Sequence, residues 1–444
     1  MRRVYLSFLG TNDYIACNYQ APGQPAIANV RFVQEATIQW FCGDWTEDDR
    51  IIIFTTDESH AKNWLDNGHQ DRNGDTLPRK GLQTRLNRLK LKPRIKEEQI
   101  SSGKNQQEIM DIFQTMYGVL EPEDILYLDM THAFRSLPLL ALAMLHYAKA
   151  MKKIQVGAIG YGAMEALGNI NQVRNMDIKD RNVPVFDLLP YDRILEWSSA
   201  IDRFLAAGDA KGVAALANRE VKPVLASTQG RDEEAAAVRR LADCLDKFSR
   251  TITTCRGKMI TETASSLRRA IANAIDQETV RPLRPLLERL ETSTAKFNGE
   301  SVNDGIAAAI WCLEHNLVQQ GFTILEETIF SWILIRATDL SPEEEINRTL
   351  VNQAVAINLH EIQFDDWKRE SKENLEIAEQ LISWLTPRKE LLENMRNLAG
   401  DRNDINHAGM VIGPMRSEKF YQRLKRHIEF FSRTIEHQQN EEQE

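Results

Sequence analysis

Hydrophobic and polar positions follow two different periods along this chain, and the change between them falls near Pro190. Before it, short continuous runs of β-branched and aromatic residues stand out: RVYLSFL, IIIFTT, ILYLDM and IQVGAIG. Such runs predict strands buried on both faces. Between them lie longer segments with apolar residues at helical spacing, VRFVQEATIQWF and LPLLALAMLHYAKAM, so strands alternate with helices. That alternation predicts an α/β sheet covered on both sides. Beyond Pro190 the strand runs nearly vanish. GFTILEETIFSWILIRA repeats apolar residues at helical spacing, and Phe420, Leu424, Ile428, Phe431 and Ile435 form another such stripe. The second part is therefore predicted to be all-α. The expected layout is an α/β domain over 1–190, a helical connecting segment over 191–300 rich in Ala, Arg and Glu, and a helical domain over 301–440, with EEQE as a frayed tail.

Composition narrows the function classes. With 444 residues, 42% hydrophobic and 27% charged, the chain is long enough for two or three domains with real cores. A formal charge of -9 argues against a protein that coats nucleic acid non-specifically, which needs a broad basic surface. The five cysteines are odd in number, scattered, and form no C-x-x-C pair, so neither a disulfide framework nor a structural zinc is indicated, and a reducing cytoplasm is expected. The opening MRRVYLSFLG has two arginines like a signal peptide, but its apolar run is short and ends at Asn12 and Asp13. No segment is expected to span a membrane.

Candidate chemistry concentrates where predicted strands end. In an open α/β sheet, ligands bind beyond the carboxyl ends of the strands. Three loops qualify: FLGTNDY with Gly10, Thr11 and Asn12; MTHAFRS with Thr131, His132, Arg135 and Ser136; and GAIGYGAME with Gly160 and Tyr161. Glycines permit close backbone approach, and a guanidinium can grip phosphate bidentately, so an anionic polar ligand is expected. A dinucleotide cofactor is the rival reading. GTNDYI lacks the second and third glycines of G-x-G-x-x-G, and GYGAME carries Glu165 where the third belongs. Asp129, at the end of ILYLD, is as well suited to capping the next helix as to touching ligand. His132 and Arg135 are harder to bury without a partner, which favours ligand contact.

Asp129-x-Thr131-His132-x-Phe134-Arg135 resembles the D-x-T-H-G-F-R signature of CRISPR-associated CARF proteins. The opening FLGT, RFVQEA at Arg31 to Ala36, and YGAxE at Tyr161 to Glu165 accompany it in the same order. Ala133 stands where that family usually has glycine. The resemblance covers roughly residues 1–190. It implies a Rossmann-like domain that dimerises and binds a cyclic oligoadenylate across its two-fold axis, and it implies an effector domain elsewhere in the chain. In such a ligand, linking phosphates would suit Arg135, ribose hydroxyls Thr131 and Ser136, and adenines the backbone of Gly10 and Thr11.

In the helical part, Arg402-Asn403-Asp404-Ile405-Asn406-His407 matches the R-x4-6-H pattern of HEPN ribonucleases and is the only such match in the chain. Histidine, with an ordinary pKa near 6.5, can move protons near neutrality, and arginine can hold a phosphate and its extra negative charge. RNA supplies its own 2′-hydroxyl nucleophile, so no metal or cofactor is required. Positions five apart on one helix point about 140° away from each other. Two copies face to face would complete a site, as the HEPN resemblance implies. Arg402, His407 and Asn403 are thus the candidate catalytic residues, with Asn406 a possible helper. The expected function is a cyclic-oligoadenylate-activated, metal-independent endoribonuclease acting on single-stranded RNA in type III CRISPR defence, as a homodimer or higher homo-oligomer. Two alternatives stay open: a helical domain that only oligomerises or binds partners, and a CARF domain that itself cuts the cyclic ligand.

Overall fold

The structure is a computed structural model that describes residues 1–132, 137–276 and 283–441. It divides into two compact units, Met1–Arg193 and Ile194–Glu444. The first is a mixed α/β unit, and the second contains no strand among its described residues. No helix among the described residues is long and apolar enough to cross a membrane.

The first unit is built on one eight-stranded sheet. Its strands are β1 (Arg3–Phe8), β2 (Cys17–Gln20), β3 (Ile27–Val30), β4 (Arg50–Thr55), β5 (Arg94–Gln99), β6 (Ile125–Asp129), β7 (Gln155–Gly162) and β8 (Asn182–Asp187). They lie in the order β3-β2-β8-β7-β6-β1-β4-β5. From β7 to β5 all pairings are parallel, while β8 runs antiparallel to β7 and β3 antiparallel to β2. The four apolar runs of the sequence are β1, β4, β6 and β7. The side-chain period of two sends Val4, Leu6 and Phe8 to one face, where the helices Gln106–Gly118 and Leu137–Lys152 bury them, and Tyr5 to the other, beneath Val33–Cys42. Four strands escape the apolar pattern. β5 reads RIKEEQ and forms a sheet edge, where charges discourage pairing with another chain. β2, β3 and β8 form the opposite flank; β2 and β3 are short, and all three carry polar or exposed residues.

Chain order along the parallel strands reverses between β1 and β6: β4 and β5 lie on one side, β7 on the other. This is the switch point at which loops from adjacent strands part and leave a crevice. The loops after β1 and β6 carry the two quoted motifs.

The second unit has two apolar clusters, and the helix Ser301–Glu314 serves both. Trp197, Phe204, Leu245, Phe248, Leu267 and Phe297 pack into the first, while Ile329, Trp332, Leu350, Leu381, Leu424 and Phe431 pack into the second. The helix Ser301–Glu314 contributes Ala308, Trp311 and Cys312 to the first and Ile306, Ala309 and Leu313 to the second. Trp311 is nearly fully buried and has aromatic neighbours on several sides: Phe248 edge-on at 5.3 Å, Phe204 at 5.6 Å and a stacked His315 at 3.9 Å. Trp311→Ala should therefore lower the unfolding free energy by about 3–5 kcal/mol. Denaturant titration followed by circular dichroism checks this, and a loss below about 1 kcal/mol would mean the neighbours close the gap on their own.

Candidate functional site

At the switch point the controlling residue is Asp129, the last residue of β6. Its side chain is fully buried, accepting hydrogen bonds from Ser7 Oγ at 2.8 Å, Tyr5 Oη at 3.4 Å, Thr131 Oγ1 at 2.6 Å and the Thr131 backbone N–H at 3.1 Å. Burial pushes the carboxyl upward in pKa, opposed by these hydrogen bonds. Among the described residues Asp129 thus neither caps a helix nor faces open space; it staples the loop after β6 to β1. Thr131 extends the staple, because its Oγ1 also accepts from the Gly162 backbone N–H at 2.8 Å. A Cβ at Gly162 would come within 2.9 Å of Val33 Cγ2 and 3.3 Å of Thr131, so the second glycine of GYGAME is required by this close approach. Thr131 thus has its hydroxyl proton committed to Asp129.

His132 follows. Its ring lies 4.3 Å from that of Tyr14, and its Nε2 is buried with no hydrogen-bond partner among the described residues. Burial pushes its pKa down to about 4, so at neutral pH it is an uncharged imidazole, with one nitrogen unsatisfied among the described residues. Tyr14 also explains Gly10: a Cβ there would meet the Tyr14 hydroxyl at 2.2 Å. Arg135 and Ser136, predicted to grip phosphate and ribose, and Ala133 lie outside the described residues.

The loop Gly10–Tyr14 is held by residues that the sequence did not single out individually. Arg31 is buried and donates to Tyr14 O at 3.0 Å, Lys80 O at 3.2 Å, Asp13 Oδ1 at 3.1 Å and Asn63 Oδ1 at 3.2 Å. Asn63 in turn donates to the carbonyls of Gly10 and Asn12, both at 2.9 Å. Gln34 donates to Phe8 O at 2.9 Å, and Glu35 accepts from the Arg31 and Phe32 N–H groups. The RFVQEA segment is thus a clamp on the first loop. Asp13 sits among three guanidiniums, Arg31 at 3.1 Å, Arg79 at 3.4 Å and Arg174 at 3.9 Å, of which Arg79 and Arg174 are well exposed. Three cations around one carboxylate leave positive charge beside Thr11 and Asn12. Tyr161, at the end of β7, donates to Glu165 at 2.5 Å, and this bond pushes its pKa up to about 12.

In the second unit the candidate motif occupies the last turn of the helix Lys389–Asn406, with His407 as its C-cap. Asp401 and Asp404 face inward. Asp401 accepts from Arg423 Nε at 2.8 Å and contacts His427 Nε2 at 2.8 Å; burial would raise its pKa, but His427 and Arg423 hold it below the usual carboxylate range. Asp404 accepts from the Met415 N–H at 2.6 Å. With these two acids turned in, Asn403, Asn406 and His407 are exposed, and Arg402 reaches sideways to Glu326 on the helix Val318–Ala337. The Arg402–Glu326 pair is 2.8 Å long, with the arginine side chain 31% exposed and the glutamate 6%. Arg402 and Asn403 line a cleft of about 330 Å³; His407 does not. His427 is buried on Asp401. Glu326, Asp401 and Asp404 carried no sequence signal beyond an acidic residue at a helical position.

No protein-family profile matches the chain. It is similar to the CRISPR-associated protein MJ1674 of Methanocaldococcus jannaschii, at 25% identity over 235 residues, which are 52% of this chain. The match spans about a third of that relative, 32% of its length.

The depressed His132 pKa has a measurable sign. The folded chain takes up this proton only near pH 4, whereas the unfolded chain takes it up near 6.5, so stability from the neutral ring is fully present above about 6.5 and drains away as pH falls toward 4. In thermal unfolding across that window, His132→Phe should lose less stability than the wild type. Parallel pH profiles for the two proteins would show that His132 is not held neutral by burial.

Proposed function

We propose that this chain is a homodimeric, metal-independent endoribonuclease of CRISPR antiviral defence, switched on when a cyclic oligoadenylate occupies the switch-point crevice of its first unit. The observation that carries the effector half is the last turn of the helix Lys389–Asn406. There two buried acids fix the helix rotation and leave Arg402, Asn403 and His407 at the surface. The similarity to a protein named as CRISPR-associated supports the biological setting. The uncharged His132 and the guanidiniums around Asp13 suit a ligand that combines neutral bases with phosphates.

Arg402 would hold the scissile phosphate and the charge that grows on it, while His407 would take the proton of the attacking 2′-hydroxyl or return one to the leaving 5′-oxygen. His407 lies outside the Arg402 cleft, so one chain does not assemble both roles around a single phosphate. A second copy would. The helix Leu137–Lys152 offers a surface for it: Leu139, Ala143, Tyr147 and Met151 recur every fourth residue as an exposed apolar stripe, with Leu139 74%, Tyr147 46% and Met151 58% exposed. A ring lying on the resulting two-fold axis would be shared by both protomers. The separation of His407 from the cleft also favours the second reading, in which the helical unit binds a partner and cuts nothing.

RNA cleavage by the intact chain, with and without each cyclic oligoadenylate and in the presence of EDTA, decides between them. The expected products carry 2′,3′-cyclic phosphate ends. Arg402→Ala and His407→Ala should each abolish cleavage while ligand binding survives. Arg135→Ala, chosen on its sequence position, should weaken ligand binding about ten- to hundredfold, with activation recovered at higher ligand concentration. Wild-type cleavage by the His407 variant, or a strict metal requirement, would place the chemistry elsewhere.

A further inference from the structure

The cleft beside Arg402 is bounded by three helices, Val318–Ala337, Glu345–His360 and Lys389–Asn406. Its floor is apolar, made by the buried side chains of Ile329, Val355, Met395 and Leu398, with Phe330 half-buried at one side. Its rim is polar. Asn352, His360 and Asn403 are exposed there, and the Asn352 amide and the His360 ring have no hydrogen-bond partner among the described residues. Arg402 and Glu326 form one wall, joined by their 2.8 Å contact, and the Arg402 Nε is buried with no partner of its own among the described residues. A volume of about 330 Å³ is at the small end of the range for small-molecule sites, roughly 300–1000 Å³.

We propose that this cleft is a nucleotide-recognition subsite: it receives the base of the RNA residue next to the scissile phosphate and sets the base preference of cleavage. The proposal rests on the ribonuclease reading and names the part of the substrate that the same site selects. A nucleobase has flat apolar faces and a polar edge. The floor and Phe330 match the faces, while the donors and acceptors of Asn352 and His360 match the edge. Charge argues for a base rather than a free phosphate, because the carboxylate of Glu326 offsets the guanidinium of Arg402 within the wall, and Glu393, 3.7 Å away, offsets that of Arg396, which also lines the cleft. Arg402 remains able to reach a phosphate at the mouth, since its side chain is 31% exposed. The attached phosphate would then lie beside Arg402 when the base is seated. Glu326 acts as a positioning residue, holding the guanidinium at the mouth of the cleft.

The test uses the intact chain and two readouts. First, the four nucleoside 3′-monophosphates are titrated by ligand-observed nuclear magnetic resonance against the wild type, Asn352→Ala and His360→Ala. The expected result is that one base binds at least about tenfold better than the weakest, and that Asn352→Ala removes most of this difference. Equal binding of all four, or a spread untouched by both variants, overturns the subsite. Second, cleavage positions are mapped on a defined RNA. A base preference in the wild type that spreads over all four bases in Asn352→Ala supports the subsite, whereas a preference unchanged in both variants overturns it and leaves the ribonuclease reading standing. Absence of any cleavage in the wild type overturns the ribonuclease reading instead, and the nucleotide titration then decides the cleft alone. Glu326→Gln should raise KM for RNA more than it lowers kcat, with Glu326→Asp restoring part of the effect, as expected for a residue that positions Arg402; a loss confined to thermal stability would make its role merely structural.

Discussion

The side chain of Asp129 lies fully buried between β1 and the loop after β6, and burial of a carboxylate is tolerable only when its lone pairs are satisfied. Ser7, Tyr5 and Thr131 do this. Because the donors come from a neighbouring strand and from the loop itself, solving the solvation of one oxygen pair also fixes where the β6 chain turns. Thr131 passes the restraint on to Gly162 and so to β7. The crevice edge of three strands is thereby set by one buried acid. The nearby clamp of Arg31 and Asn63 performs the same service for the β1 loop, by donating to the carbonyls of Tyr14, Gly10 and Asn12.

The helical unit uses the same device on a different scaffold. Asp401 and Asp404 are spaced to face one side of their helix, and each is held inward, one by a histidine and an arginine and the other by a backbone N–H. Their burial determines the rotation of the last turn. The residues between and after them, Arg402, Asn403, Asn406 and His407, then have no choice but to face outward or sideways. Asn406 also accepts from Gln319 at 3.2 Å, tying the end of that helix to its neighbour.

The strands legible in the sequence were those whose both faces are covered, since only there does burial demand a continuous apolar run. β1 and β4, buried at every position after the first, are the clearest examples. β5 was invisible because an edge strand keeps its charges, and β2, β3 and β8 because polar or exposed residues interrupt their apolar positions. The α/β and helical halves, and the motifs placed at strand ends, were legible for the same reason: they follow from local periodicity and turn chemistry. The supporting contacts were not. Arg31 with Asn63, and Glu326 with Arg402, join residues on separate elements, and nothing in either segment alone marks its partner. The pairing of His427 with Asp401 is of this kind too, and periodicity could report only that His427 lies on an amphipathic helix.

The helix Ser301–Glu314, shared between two apolar clusters, has an implication for how such a chain could be recombined in evolution or in the laboratory. Modular exchange works where few buried contacts cross the cut. A junction at residue 300 would sever Trp311, Ala308 and Cys312 from Phe204, Phe248 and Phe297, leaving an aromatic socket without its plug on one fragment and an exposed indole on the other. Grafting the helical unit onto another domain should therefore carry everything from Ile194 onward, because the segment that looks like a spacer is one wall of that unit's own interior.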